Sequence, residues 1–157
     1  MDFDLELIVK VAIRTIRETQ LFIQEEIRED PASAFEDILI GRRNKPLLAV
    51  DLIAERNTAQ NLRRRLQCYK LLAIGEVSLR DQNLDLSNEK KLVVLMDMVD
   101  GTDLLERGLF NWCSAMVFYY PTSRKILASF VGLPEDGVYF ATDHKDLAYK
   151  YRFHSAP

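Results

Sequence analysis

An α+β fold is predicted for this chain, with long N-terminal helices packed on a mostly antiparallel sheet. Three observations predict it. Apolar residues recur at helical spacing from Phe3 to about Glu29. Aromatic and β-branched runs fill the C-terminal part and are separated by short turns, which makes them antiparallel neighbours. Between these regions, the apolar run Leu92 to Met96 ends abruptly in an acidic, glycine-bearing turn.

Taken in order, Leu5, Ile8, Ala12, Ile16, Ile23 and Ile27 form one stripe of the first helix, interrupted only by Thr19. Asp2, Asp4 and Glu6 crowd its start, which suits the helix dipole, and Pro31 stops it. Phe35 to Ile40 is an apolar cluster compatible with helix or strand. Gly41-Arg42-Arg43-Asn44-Lys45-Pro46 is a basic loop, read either as a solvated turn or as a flap that brings positive charge to a phosphate. Leu47 to Val50 is a short strand candidate, and Asp51 follows it at an N-cap position. From Asp51 to about Tyr69 the pattern is helical, with Ala59, Leu62, Leu66 and Tyr69 as its apolar stripe. Arg56, Arg63, Arg64 and Arg65 read most simply as its solvated face.

Lys70 to Ile74 is a strand ending in Gly75-Glu76, and Ser78 to Lys91 reads as a connecting loop. After the central stretch, Leu104 to Gly108 is a helical turn ended by glycine. Trp112 to Tyr120, Ile126 to Val131, Val138 to Ala141 and, more weakly, Ala148 to Phe153 are strands. Trp112 is expected in the core, and His144 and His154 at the surface.

The chemistry concentrates in Asp97-Met98-Val99-Asp100-Gly101-Thr102. The run Leu92 to Met96 reads as a buried strand, so Asp97 and Asp100 fall at its end. Hard oxygen ligands in such a cluster suit Mg²⁺. Gly101 lets another group approach the backbone, and a helix starting there would offer N–H groups to a phosphate. Asp51 and Glu76 also follow apolar runs, so three strands would each deliver acids to one sheet edge. Two like charges about 4 Å apart cost roughly 4 kcal/mol at an effective dielectric near 20, and a divalent cation removes that penalty. The Thr102 hydroxyl would orient a water, with Asp51 or Glu76 accepting its proton.

Composition narrows the alternatives. The chain has 157 residues, 48% hydrophobic and 29% charged, which predicts one globular domain over residues 1–157. A net charge of −3 and the lack of a basic tract with interleaved aromatics give no support for nucleic-acid binding. No apolar run is long enough to span a bilayer, and acids stand where a secretory signal would carry Lys or Arg. Cys68 and Cys113 form no CxxC pair and are read as reduced core or semi-buried thiols. A soluble cytoplasmic protein is expected.

Glu76 in Ile74-Gly75-Glu76, followed by Asp97 to Thr102, resembles the signature of the inositol monophosphatase family. That family belongs to the Mg²⁺-dependent, lithium-sensitive phosphatases, with fructose-1,6-bisphosphatase. Asp51 matches the family's Asp before a helix, and Gly137 to Ala141 resembles a later strand. The resemblance implies the fold of that family's N-terminal domain and phosphomonoesterase activity on a small sugar or polyol phosphate. It implies Mg²⁺ as cofactor, with Mn²⁺ as a substitute and Li⁺ as inhibitor. Glu76, Asp97 and the Val99 carbonyl would hold the first ion, and Asp97 and Asp100 the second. Gly101 and Thr102 would bind phosphate, while Asp51 and Thr102 would position the attacking water beside Glu76.

The departures are specific. Met98 replaces the family proline, Val77 replaces a second Glu, and Asp103 replaces a usual Thr or Ser. Lys45-Pro46 stands where an Asp-Leu pair is common. Family members continue into a C-terminal α/β domain, which supplies another metal ligand and is absent from residues 1–157. The expectation is an N-terminal half that self-associates as a homo-oligomer. It would act either as an enzyme or as an inactive metal- or phosphate-binding remnant.

Overall fold

The computed structural model describes residues 3–38, 47–80, 91–109, 111–143 and 147–153. The basic loop 41–46, His144 and His154 lie outside the described residues. The chain begins with α1 (Leu5–Glu29), capped by the Asp4 carboxylate, which accepts from Leu7 N at 2.9 Å. A short α2 (Pro31–Ala34) follows, then a two-residue ladder between β1 (Asp37–Ile38) and β2 (Leu47–Leu48). Next come α3 (Ala49–Arg65), β3 (Leu71–Ile74), α4 (Glu76–Arg80), β4 (Leu92–Asp100) and α5 (Thr102–Glu106). Four strands complete the fold: β5 (Cys113–Tyr120), β6 (Lys125–Leu133), β7 (Gly137–Thr142) and β8 (Ala148–Arg152).

The main sheet has six strands in the order β3-β4-β5-β6-β7-β8. All neighbours are antiparallel except β3 and β4, which run parallel. The predicted α+β class therefore stands, and the single parallel pair makes the sheet mixed.

One sheet face is covered by helices. Met96, Met116 and Phe130 lie opposite one another in register and are buried. Ile8, Ala12, Ile16 and Ile23 of α1 are buried with them in one core, along with Leu62 and Leu66 and, as expected, Trp112. Thr19, which broke the apolar stripe, is itself buried and shares a 3.0 Å hydroxyl contact with Thr58 of α3. The interruption is a polar clasp between two helices. Arg65 is not a solvated arginine: it pairs with Glu18 of α1 at 2.6 Å and donates to Thr15 at 3.2 Å. On the opposite face, among the described residues, Leu95, Val131 and Tyr139 are exposed.

Helix and sheet approach closely at Gly132. Gln20 Nε2 donates to the Gly132 carbonyl at 2.9 Å, and a Cβ at this position would overlap Ile16. Gly132→Ala is expected to destabilise the fold by about 1–3 kcal/mol, since packed cores resist added volume. Urea unfolding measures this, and the double variant with Ile16→Ala should lose less than the two single losses summed, because the overlap is then gone.

Several boundaries differ from the sequence reading. The strand expected over Leu47 to Val50 stops at Leu48, and α3 begins at Ala49. Asp51 is thus the third residue of the helix rather than its N-cap. Its Oδ2 accepts from the Leu48 backbone N–H at 3.1 Å, satisfying a donor that the helix leaves unpaired. The stretch read as a loop from Ser78 begins within α4, and 81–90 lie outside the described residues.

Candidate active site

The largest change concerns the central strand. It does not end at Met96 but runs on to Asp100, because β5 continues to pair with it. Asp97 faces Ala115 and Asp100 faces Cys113, so Met98 and Val99 together oppose Ser114. Such an extra residue is a β-bulge, which bends the strand and re-aims its side chains. Both Met98 and Val99 are buried, whereas Asp97 and Asp100 reach the surface. Ser114 Oγ anchors the bulge by donating to the Met98 carbonyl at 2.8 Å.

Gly101 then turns the chain with φ +98°, a left-handed conformation that L side chains rarely adopt. Helix α5 starts at Thr102, two residues before the predicted Leu104. The Thr102 hydroxyl lies 2.8 Å from Asp51 Oδ1 and 2.7 Å from the Val99 carbonyl. A hydroxyl carries one proton, so it donates to one of these acceptors at a time. Asp51 is thereby fastened at both ends, by Leu48 N and by Thr102.

Asp51, Glu76, Asp97 and Val99 line one small pocket, with Glu55, Val77, Met96 and Met98. They arrive by different routes: Asp51 from a helix, Glu76 from the end of β3 at the start of α4, Asp97 from within β4. The expectation of three strand ends is corrected to one strand, β4, and the first turns of two helices, α3 and α4. Asp100 and Gly101 line a second, open depression, with Trp112 and Cys113. The Cys113 thiol lies 3.7 Å from Asp100 Oδ2. Burial, then the nearby Asp100 carboxylate, pushes its pKa up, so it is a protonated thiol at neutral pH. Cys68 is also free.

The electrostatics show the crowding of the acids. Although Asp97 reaches the surface, desolvation of its carboxyl by the surrounding pocket, and then the charges of Asp100, Glu76 and Asp51, hold it above the usual Asp range. A bond from Val99 N at 3.3 Å opposes this only in part. Hard oxygen donors under mutual repulsion suit a divalent cation such as Mg²⁺ in chemical type. They are not a preformed cage: among the described residues, no three Asp, Glu, His or Cys side chains converge closely enough to hold a metal ion. Asp51 and Asp97 are each turned toward donors of their own chain.

Sequence reasoning missed Glu55, a pocket-lining carboxylate only 9% exposed. Its spacing was the available signal, because residues four apart share a helix face and Glu55 follows Asp51 by four.

No family model matches the sequence, and no curated protein matches it. Solved structures do. Over 96% of its length the chain superposes on 52% of a staphylococcal inositol monophosphatase-1, solved as a LiCl-soaked inhibitory complex, with TM-score 0.71 and 23% identity. It covers 56% of an inositol monophosphatase/NADP phosphatase complexed with NADP and Ca²⁺, with all of this chain aligned, TM-score 0.71 and 22% identity. Against SaIMPase-II bound to inositol monophosphate, 90% of this chain aligns with 46% of that one, with TM-score 0.63 and 18% identity. The chain thus spans about half the length of the structures it matches. Over that span, helices and mixed six-stranded sheet together, it has the fold of the inositol monophosphatases.

Proposed function

We propose that this chain binds a divalent cation, Mg²⁺ or Mn²⁺, at the bulged end of β4 and takes part in hydrolysis of a small phosphate monoester. The observation that carries this reading is the gathering of Asp51, Glu76, Asp97 and Val99 around one small pocket at the β4 bulge, where desolvation and then the neighbouring acids push the Asp97 carboxyl up. The matched structures add chemical context: one holds NADP with Ca²⁺ and another inositol monophosphate. Glu76, Asp97 and the Val99 carbonyl would hold one ion, and Asp97 and Asp100 a second. A cation held there would supply polarisation of a phosphoryl oxygen and stabilisation of the leaving oxygen. Gly101 and Thr102 would direct backbone N–H groups at the phosphate. Asp51 and Thr102 would orient the attacking water and accept its proton.

A second reading is metal or phosphate binding without turnover, acting through self-association. One observation favours it: among the described residues, Leu95, Val131 and Tyr139 leave hydrophobic side chains exposed on one sheet face. One assay decides between the two. Phosphate release from inositol monophosphate, fructose bisphosphate and an aryl phosphate is measured with Mg²⁺ or Mn²⁺, with and without Li⁺. Metal-dependent, lithium-inhibited release is the expected result. Mn²⁺ binding without release supports the second reading, and neither binding nor release overturns both.

A further inference from the structure

We propose that Glu55 is a positioning residue, which fixes the Gly75–Ser78 turn and thereby sets where Glu76 stands against Asp51 and Asp97. The inference rests on the reading of those acids as a metal site. Glu55 lies on α3 one turn after Asp51, and its carboxylate is buried against the start of α4. Oε2 accepts from Val77 N at 2.8 Å, and Oε1 from Ser78 N at 3.0 Å and from the Ser78 hydroxyl. Ser78 Oγ in turn accepts from Gly75 N at 3.3 Å, and Leu79 N closes the turn on the Gly75 carbonyl at 3.0 Å. Glu76 is enclosed by this set of bonds. With both carboxylate oxygens taken by N–H and O–H donors, Glu55 acts through the turn rather than as a ligand.

The close approach also accounts for Gly75. A Cβ there would overlap the Glu55 carboxylate, so only glycine lets the acid reach the amides beyond it. Helix α3 consequently ties two segments of the pocket together. Asp51 holds Thr102 beside the β4 bulge, and Glu55 holds the turn that carries Glu76. Groups that orient metal ligands in this way typically contribute about 10–100-fold to metal affinity.

The test uses Glu55→Gln and Glu55→Ala, the glutamine keeping the volume should the alanine variant fail to fold. Amide hydrogen exchange at Val77 and Ser78 is followed in metal-free protein, and Mn²⁺ affinity by calorimetric titration. Faster exchange at both amides, with Mn²⁺ affinity weakened about 10–100-fold, is expected. Gly75→Ala should cause a similar loss in the native background and add little to Glu55→Ala, because the overlap is then gone. Unchanged exchange overturns the proposal. So does faster exchange with unchanged Mn²⁺ affinity, which would make Glu55 a helix cap and nothing more. If the native protein binds no Mn²⁺, the metal reading fails, and exchange at Val77 and Ser78 alone decides whether Glu55 holds the turn.

Discussion

Asp97→Asn is expected to abolish Mn²⁺ and Mg²⁺ binding and, with it, any metal-dependent phosphate release. In the proposed site Asp97 would be shared by both ions, so its loss would remove a ligand from each. The substitution preserves shape, and the amide oxygen can still accept from Val99 N, which bonds Asp97 Oδ1 in the native chain. The loss would then report on charge rather than on folding.

The same variant should be more stable than the native chain when both are metal-free at neutral pH. Burial and three neighbouring acids raise the Asp97 carboxyl above its unfolded value, so the folded state disfavours the charge. Native stability therefore falls as pH rises through the ordinary Asp range toward the raised folded value, and the penalty is complete above it. Below the ordinary range the carboxyl is neutral in both states, and the two proteins should unfold alike. Thermal unfolding at several pH values, without metal, measures the difference. A native protein more stable than Asp97→Asn at neutral pH would contradict the picture of a crowded acid. A residue that costs stability where it stands fits a functional site.

Asp51→Asn and Thr102→Val are expected to lower kcat by about 10²–10⁴-fold, the usual scale for losing general-base assistance, with KM changed little. Mn²⁺ binding should survive both, since neither residue is assigned to the metal. The hydroxyl of Thr102 lies 2.8 Å from Asp51, and in the proposed mechanism the two act on one water. Groups that act as a unit are not additive, so the double variant should lose little more than the worse single one. Losses that multiply would show that the two residues work independently and would remove the proposed pairing. Loss of Mn²⁺ binding in Asp51→Asn would move that residue into the ligand set.

Much of the fold was legible because its signals are local. The stripe of α1, the strand runs of β5 to β7, Gly101 before a helical turn and the burial of Trp112 all follow from period, composition and turn chemistry. The candidate acids were legible for a similar reason, since Asp97, Asp100 and Glu76 follow apolar runs that have to be buried. The β4 bulge was not legible. Whether a strand continues past an acid depends on a partner more than ten residues away, and here Cys113 to Ala115 supplies it. The place of Asp51 inside α3 depended likewise on Leu48, whose N–H needed an acceptor.

The sequence by itself determined the α+β class, the helical and strand periods, and which acids are candidates for a metal and phosphate site. Only the tertiary structure decided how those acids meet. It placed Asp51 on a helix against Thr102, turned β4 at Met98 and Val99, and buried Glu55 beneath the turn that carries Glu76. The physical reason is that periodicity records which face of an element is buried. Convergence of charges depends on contacts between residues such as Asp51 and Thr102, or Glu55 and Ser78, which no local pattern encodes.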